Sequence, residues 1–284
     1  MKFIKSTVCA SLILAITACG DNESAQTYIS KAESQIVEKQ DSAAIISLKN
    51  ALKLDAKNAQ ARFLLGKLYL NMGDAENAIK EFERANKFKF SVDQVLPLLA
   101  RAYMLAEDDE AILALAPQEK QLSTPSTQYL AYKVMAALRT DNKALAQETV
   151  EAAFSVSESD GYSMLANAYL AFFEQKLDRA STSVGRILVA TPDNVDALML
   201  QGQIATAQNN YALAVESFTQ YLKLQPNSGR AQIFIADSLV KNGQFDEAEK
   251  IADTILAKVP NRPFCYISKQ WFDLKRKIMN RLVV

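Results

Sequence analysis

The stretch ARFLLGKLYLNMGDAENAIKEFERA, residues 61–85, decides the fold of this chain. Its apolar residues recur every three or four positions, which is the period of a helix that buries one face. Leu65-Gly66 and Tyr69 fall on a first predicted helix, and Gly73-Asp74 falls at a turn. A second predicted helix carries Ala78, Phe82 and Ala85. The stretch therefore predicts two helices joined by a short turn.

The same pattern returns at a constant interval toward the carboxyl terminus. Prolines fall 34 residues apart, and alanines repeat with the same step, at Pro192, Pro226 and Pro260 and at Ala180, Ala214 and Ala248. Proline cannot continue a helix and so ends the second helix of each pair. Alanine lets two helix backbones approach closely where a larger side chain would hold them apart. The interval predicts a repeat of two antiparallel helices.

Weaker copies of the unit extend the pattern to seven units over residues 27–261. The third unit is irregular in its second half, where Pro117 and Pro125 interrupt the helical pattern. The six units beside the stretch quoted above are marked by Tyr28, Ala32, Ala44, Leu48 and Ala51; by Leu99, Ala100 and Tyr103; by Leu130, Ala137, Ala146, Val150 and Ala153; by Met164, Ala168, Ala180 and Val184; by Leu198, Gly202, Ala214 and Phe218; and by Ile235, Ala236, Leu239 and Ala248.

This unit resembles the tetratricopeptide repeat (TPR). The resemblance implies an all-α fold, a superhelical α-solenoid of antiparallel helix pairs with about seven units and a C-terminal helix. No unit can bury its apolar face alone, so neighbours stack, and the stack curves around a concave face where such arrays bind partners. The composition agrees, because eight glycines and seven prolines are few for 284 residues and favour long helices.

The end of the chain, residues 262–284, departs from the repeat. Its apolar residues are spaced three or four apart and predict one more helix. That helix is either a cap that shields the last pair from water or the unpaired first helix of an eighth unit, left for a partner. The apolar positions are Phe264, Ile267, Trp271, Leu274, Ile278 and Leu282.

The first residues predict export. Lys2 and Lys5 precede an apolar run, residues 7–16, which is the pattern of a secretory signal and too short to span a bilayer. The residues that end in Cys19 resemble the lipobox of bacterial lipoproteins. The resemblance implies a signal peptide at 1–18, a lipid on Cys19 and a tether at 19–26. The alternatives are an ordinary signal in which Cys19 is incidental, and a retained membrane helix.

Gly20 follows this cysteine. In bacterial lipoproteins, a residue other than Asp directly after the lipidated cysteine resembles an outer-membrane sorting signal. We therefore expect the protein at the periplasmic face of the outer membrane, held through the lipid on Cys19.

Several function classes are disfavoured by what the sequence lacks. It has no histidine, which removes the commonest general base and zinc ligand. It has no GxGxxG, GxxxxGK[ST], GxSxG or CxxC motif. The acid pairs Asp108-Asp109 and Asp246-Glu247 fall at predicted helix starts, where carboxylates favour the helix dipole. The 32 basic and 32 acidic residues cancel, which argues against nucleic acid. We expect no catalysis, no metal and no cofactor.

A binding surface remains. The inner side of the first helices is expected to carry aromatic and charged anchors for other envelope proteins or peptides. The predicted partner-binding residues are Phe63, Lys67, Arg101, Tyr162, Tyr169, Phe172, Phe173, Met199, Gln203, Arg230 and Asp237. For Tyr169, Phe172 and Phe173 the alternative is packing between neighbouring units.

A second resemblance concerns the biological setting. The segments Tyr28-Ile29, Lys31-Ala32, Ala44-Ile45, residues 48–52, residues 61–70 and residues 95–102 look like the TPR-repeat lipoprotein of the PEP-CTERM/exosortase system. The resemblance implies a non-enzymatic scaffold in exopolysaccharide production and in the handling of sorted surface proteins. It also suggests a shortened member, because such arrays are usually longer. The alternatives are a polysaccharide-export accessory that contacts a porin or the glycan itself, and an enzyme with an unrecognised carboxylate pair.

Overall fold

The structure is a computed structural model, and it describes residues 24–258, without the side chains of residues 117 and 256–258. Over that range the chain forms fifteen α-helices and no strand, which confirms the all-α prediction. The helices are α1 (Ala25–Val37), α2 (Asp41–Leu54), α3 (Ala59–Asn71), α4 (Ala75–Lys87), α5 (Val92–Ala106), α6 (Asp109–Leu113), α7 (Ala116–Glu119), α8 (Thr127–Arg139), α9 (Lys143–Val156), α10 (Gly161–Phe173), α11 (Leu177–Ala190), α12 (Val195–Ala207), α13 (Tyr211–Leu224), α14 (Gly229–Lys241) and α15 (Phe245–Lys258). The predicted signal peptide, Cys19 and the helix at 262–284 lie outside these residues.

The helices of the described range pair into seven units, as the repeat predicts. In the third unit α5 is followed by two short helices, α6 and α7, in place of one long second helix. Pro117 lies in the first turn of α7, where proline is tolerated because the amide there has no helical acceptor. The irregularity predicted from Pro117 and Pro125 is therefore confirmed.

The turns inside the pairs show the period in the backbone itself. In the described range each of the seven pairs has a left-handed residue between its helices, with φ from 57° to 81°, and successive ones are 34 residues apart. The seven are Lys39, Gly73, Glu107, Asp141, Gln175, Asn209 and Gly243. The interval is thus constant through the irregular third unit as well.

Side-chain caps explain where most first helices begin. Ser24, Asn58, Ser126, Asp160, Asn194 and Ser228 each accept a hydrogen bond from an amide in the first turn. Because Ser24 is such a cap, α1 begins at Ala25, two residues before the start of the array predicted at residue 27. The acid pairs also lie at helix starts, with Asp108 capping α6 and Asp246-Glu247 in the first turn of α15.

The core confirms the register of the repeat. Ala180, Ala214 and Ala248 are fully buried, and α11 and α13 end two residues before Pro192 and Pro226. Glycine permits the closest approach inside two pairs. A Cβ at Gly66 would lie 2.8 Å from the Phe82 ring, and one at Gly202 would lie 2.4 Å from the Phe218 ring.

The stack curves so far that distant units touch. The Asn227 side chain, between α13 and α14, donates to the carbonyl oxygen of Met72 at 3.2 Å, next to the turn of the second unit. Nearby, Arg230 forms an ion pair with Glu107 of the third unit at 2.7 Å. We call these two interactions the closing contacts. The face that the units turn toward one another, the inner face, is consequently a confined cleft.

None of the helices in residues 24–258 combines the length and apolarity that crossing a membrane requires.

Candidate functional site

A buried carboxylate organises the middle of the inner face. Asp196 lies in the first turn of α12 and is 4% exposed. Its Oδ2 accepts a hydrogen bond from the Tyr132 hydroxyl of α8 at 2.7 Å, and its Oδ1 lies 3.5 Å from the Arg101 Nε of α5. These contacts join the third, fourth and sixth units. A buried charge requires partners of this kind because water no longer solvates it.

The residues around Asp196 are held in their protonated forms. Burial, followed by the Asp196 charge, raises the pKa of Tyr132 well above its ordinary value and that of Tyr162 to about 12. Burial lowers the pKa of the Arg101 guanidinium, but Asp196 together with Tyr132, Tyr162 and Tyr221 more than offsets this, so the net change is upward. Arg101 is therefore positively charged, and the Tyr132 and Tyr162 hydroxyls are neutral donors, at neutral pH.

Arg101 is incompletely satisfied. Its Nε faces Asp196 without hydrogen-bond geometry, and neither Nε nor Nη2 has a hydrogen-bond partner in the described part of the chain. Buried donors of this kind normally require an acceptor. The inner face therefore has unused hydrogen-bonding capacity beside Asp196.

A cavity of about 210 Å³ lies between this network and the closing contacts. We call it the central cavity. Its walls combine apolar side chains with polar groups, and Gln225 among them is 7% exposed and finds no donor for its Oε1 within residues 24–258. The lining side chains that matter here are Met104, Met135, Tyr169, Asp196, Met199, Leu200, Gln203, Tyr221, Gln225 and Arg230. Methionine walls adapt to apolar groups of different shape.

A second depression adjoins the central cavity. We call it the aromatic groove; its volume is about 260 Å³. Gln203 lines both this groove and the central cavity, so the two are adjacent, and we call them together the inner cleft. Its lining consists of Phe172, Gln203, Thr206, Phe218, Phe234, Asp237 and Ser238.

Most of the predicted binding residues meet in this inner cleft. Tyr169, Met199, Gln203 and Arg230 line the central cavity. Phe172 and Asp237 line the aromatic groove together with Gln203. Arg101 and Tyr162 belong to the network around Asp196, and Arg101 is too deeply buried to offer a free surface.

Phe63 and Lys67 lie apart from the inner cleft. The Phe63 ring stacks on Phe90 with centroids 4.4 Å apart and is 7% exposed, so it packs inside the array where the sequence analysis expected an anchor. Lys67 is exposed, with its Nζ 5.7 Å from the centre of the Phe63 ring.

The aromatic residues of α10 show features of both predicted roles, packing between units and lining a binding surface. Tyr169 is 3% exposed and Phe172 is partly buried against the main core, as packing residues would be. Both nevertheless contribute to the walls of the inner cleft. Phe173 is 40% exposed and meets Phe172 edge to face, with centroids 6.2 Å apart.

Sequence reasoning missed Asp196, Tyr132 and Gln225. Asp196 lies in the first turn of α12, just after the capping residue, where an acidic side chain commonly stabilises the helix dipole, so the sequence gives no sign of another role. Tyr132 reads as one more core aromatic, and Gln225 as the residue before a repeat proline. Their roles depend on contacts between units, for which a single sequence carries no local signal.

The described residues contain no group of three or more histidine, cysteine, aspartate or glutamate side chains arranged to hold a metal ion.

Comparisons with known proteins agree on the repeat. Family models described as tetratricopeptide repeat match residues 59–91, 165–229 and 205–264. No curated protein matches the sequence. A solved tetratricopeptide repeat protein from Parabacteroides merdae has 13% sequence identity and a TM-score of 0.58, over 90% of this chain and 99% of that chain.

A second solved structure, the APC/C hetero-tetramer Cut9–Hcn1, has 16% identity and a TM-score of 0.56. The match covers 89% of this chain and 49% of that chain, so this chain spans about half of that relative. At these identities the likeness concerns the fold, which is a TPR-like solenoid.

Proposed function

We propose that this chain of tetratricopeptide repeats is a non-catalytic scaffold that binds segments of other proteins in its inner cleft. The observation that carries the proposal is that the central cavity and the aromatic groove lie side by side on the inner face and share Gln203. Apolar and aromatic walls with a few convergent polar groups are the usual composition of a binding site.

Unsatisfied polar atoms support a peptide as the occupant. The buried Gln225 Oε1 lacks a donor among the described residues, and a backbone N–H of a bound segment would supply one. An apolar side chain of the same segment would contact Met104, Met135 and Met199. The ion pairs of Arg230 with Glu107 and of Arg139 with Asp109 leave little net charge for an ionic ligand.

Site-specific photocrosslinking tests this proposal. A photoreactive residue at Gln203 is expected to capture envelope proteins, because Gln203 lies where the two halves of the inner cleft meet. The matched control carries the same residue at Val189 of α11, which is 86% exposed and lines neither half. Capture that is equal at both positions, or absent at Gln203, would contradict binding in the inner cleft.

The setting proposed for this scaffold is the bacterial envelope, with a lipid on Cys19 holding it at the periplasmic face of the outer membrane. The likeness to the PEP-CTERM/exosortase lipoproteins supports a role in exopolysaccharide production and in the handling of sorted surface proteins. Replacement of Cys19 by Ser should abolish acylation and block cleavage before that residue, so the variant should keep its signal peptide and carry no lipid mass. A parent protein whose mass shows no added lipid would exclude lipid anchoring.

A glycan is the second candidate ligand, favoured by one observation. Phe172, Phe218 and Phe234 surround the aromatic groove, and aromatic faces suit sugar rings as well as apolar side chains. Binding on a glycan array that is lost in Phe172→Ala, together with failure of crosslinking from Gln203, would favour a polysaccharide-export accessory.

A further inference from the structure

A second cleft lies outside the inner face, between the first two units. We call it the basic cleft; its volume is about 380 Å³. Lys49 and Lys53 reach it from α2, Arg62 from α3 and Lys80 from α4. The three lysines are exposed, whereas the Arg62 side chain is 12% exposed. Four cationic side chains from three helices therefore surround one depression.

The basic cleft contains an excess of positive charge. Among its lining residues in the described range Glu81 is the single carboxylate. Glu81 is already engaged, since its Oε2 contacts Arg62 at 2.6 Å and its Oε1 contacts Arg84 at 3.3 Å. The Arg62 Nε has no hydrogen-bond partner within residues 24–258. Arg62 donates to Glu81 and to the Ala56 carbonyl oxygen, and Lys53 donates to Asn50 at 3.1 Å. None of the three lysines has a carboxylate partner within residues 24–258, so the cleft has cations without a counter-anion.

Charge is also segregated along the chain, although the total is zero. Residues 25–90 carry 11 basic and 8 acidic side chains, while residues 91–258 carry 13 basic and 21 acidic ones. The first two units are therefore positive and the remaining units strongly negative. An anionic surface would attract the first units and repel the others.

We propose that the basic cleft binds the phosphate group of anionic membrane lipids and orients the first two units toward the membrane surface. Lysine ammonium groups neutralise phosphate as point charges, and arginine adds directed donors. Basic side chains beside an anionic bilayer add to one another in attracting the protein. The ligand is assigned from the local charges alone, so the inference does not depend on a partner in the inner cleft or on a lipid at Cys19.

The position of the basic cleft fits this role. It is built by α2, α3 and α4, close in sequence to the start of the array at Ala25. Five residues lie between Cys19 and Ala25, and an extended segment over these positions spans at most roughly 20 Å. If Cys19 carries a lipid, the first two units cannot move far from the bilayer, and phosphate contacts would orient them.

Vesicle sedimentation tests the proposal on the full chain carrying Cys19→Ser, so that acylation does not contribute. The probes are vesicles of phosphatidylglycerol with phosphatidylcholine, and vesicles of phosphatidylcholine alone. The test variant is Lys49→Glu/Lys53→Glu/Lys80→Glu. The matched control is Lys143→Glu/Lys176→Glu/Lys223→Glu, which changes the net charge equally at exposed lysines of later units. Both variants keep the amino-terminal residues, whose own lipid affinity therefore cancels in the comparison.

The test variant is expected to bind phosphatidylglycerol vesicles about tenfold or more weakly than the parent, since each basic residue adds to the attraction. The control should change binding much less, and the parent should bind phosphatidylcholine alone more weakly than the phosphatidylglycerol mixture. Equal losses in the two triple variants would overturn the proposal. If charge reversal unfolds the test variant, judged by its helical circular dichroism, the Lys49→Gln/Lys53→Gln/Lys80→Gln variant replaces it, and the same comparison decides.

Competition with inorganic phosphate distinguishes two sources of the bound phosphate group, which are membrane lipids and soluble phosphate compounds. A membrane site requires that phosphate at the same concentration as lipid headgroups leaves the vesicle-bound fraction unchanged, because a surface presents many headgroups at once. Complete displacement by free phosphate at that concentration would assign the basic cleft to soluble phosphate compounds and overturn the membrane role.

Discussion

Asp196 of α12 accepts a hydrogen bond from the Tyr132 hydroxyl of α8 at 2.7 Å, across 64 residues of sequence. Both side chains are buried, and Arg101 of α5 approaches the same carboxylate. A solenoid unit ordinarily contacts only its neighbours. Here one carboxylate joins the third, fourth and sixth units, and the inner face becomes a confined cleft.

Removal of this carboxylate should destabilise the array. Asp196→Ala leaves the buried Arg101 without its counterion and the Tyr132 hydroxyl without its acceptor. Removal of one partner of a buried ion pair costs roughly 3–5 kcal/mol. We expect a decrease of this size in the free energy of unfolding, measured by urea denaturation. Asp193→Ala, at an exposed position three residues earlier, should change it by less than about 0.5 kcal/mol. Similar small changes in both variants would contradict a structural role for Asp196.

The close packing inside the sixth unit predicts a contrast between two glycines. A Cβ at Gly202 would lie 2.4 Å from the Phe218 ring, so Gly202→Ala should cost about 1–3 kcal/mol through overpacking. A Cβ at Gly185, in the middle of α11, meets no described atom within 4 Å beyond the adjacent backbone. Gly185→Ala should therefore stabilise the protein by about 0.5–1 kcal/mol. Melting temperatures that move in the same direction would refute the register of the helix pairs.

The buried tyrosines predict a loss of stability in alkali. Burial raises the pKa of Tyr132 well above 10.0 and that of Tyr162 to about 12. As the pH rises through the unfolded value near 10, the unfolded chain releases these protons while the folded chain keeps them. The free energy of unfolding should thus be unaffected by these groups below about pH 9 and fall from about pH 10 upward.

Tyrosinate absorbance followed during alkaline titration provides the measurement. The signal of the inner-face tyrosines should appear together with the loss of helical circular dichroism. Ionisation of all ten tyrosines near the ordinary tyrosine pKa, with the helices intact, would show that Tyr132 and Tyr162 are accessible to water.

The fold could be predicted from the sequence because its determinants are local. Gly66, Gly202 and the alanines at 180, 214 and 248 are small where two helices approach, and that requirement recurs in most pairs. Prolines and capping residues mark the helix ends in the same way. These signals need no knowledge of the rest of the chain.

The inner cleft could be predicted only in part. The repeat register placed Met199, Gln203 and Arg230 on the inner face, where they lie. It did not reveal that Arg101 and Tyr169 are buried there. Their exposure depends on how far the stack curves, which is a sum of small rotations set by packing in every unit. The contact of Asp196 with Tyr132 exists only because that sum brings α8 and α12 together.

The closing contact of Arg230 with Glu107 should contribute little by itself. The pair is 2.7 Å long, but its side chains are 40% and 54% exposed, so solvent screens it. A double-mutant cycle with Arg230→Met and Glu107→Gln should give a coupling below about 1 kcal/mol. Residue 107 has a left-handed backbone, with a φ of 61°. Glutamine is chosen there because it keeps a side chain of the same shape, so the backbone strain is the same in both proteins.

Salt provides the control for this cycle, since screening weakens exposed pairs. The coupling should shrink as sodium chloride is raised. A coupling of several kcal/mol that is insensitive to salt would mean that the pair is buried, contrary to the geometry.

The most direct test of the closed array is a distance measurement between its second unit and the start of α14. Nitroxide labels at Asn71 and Gly229, both exposed, would be placed in a chain that keeps Asn227 and whose cysteines at 9, 19 and 265 are replaced by serine. Because the Asn227 side chain donates to Met72, the frozen spectrum of the doubly labelled protein should show strong dipolar broadening. A spectrum equal to the sum of the two singly labelled proteins would show that these units stay apart and would contradict the closed inner cleft.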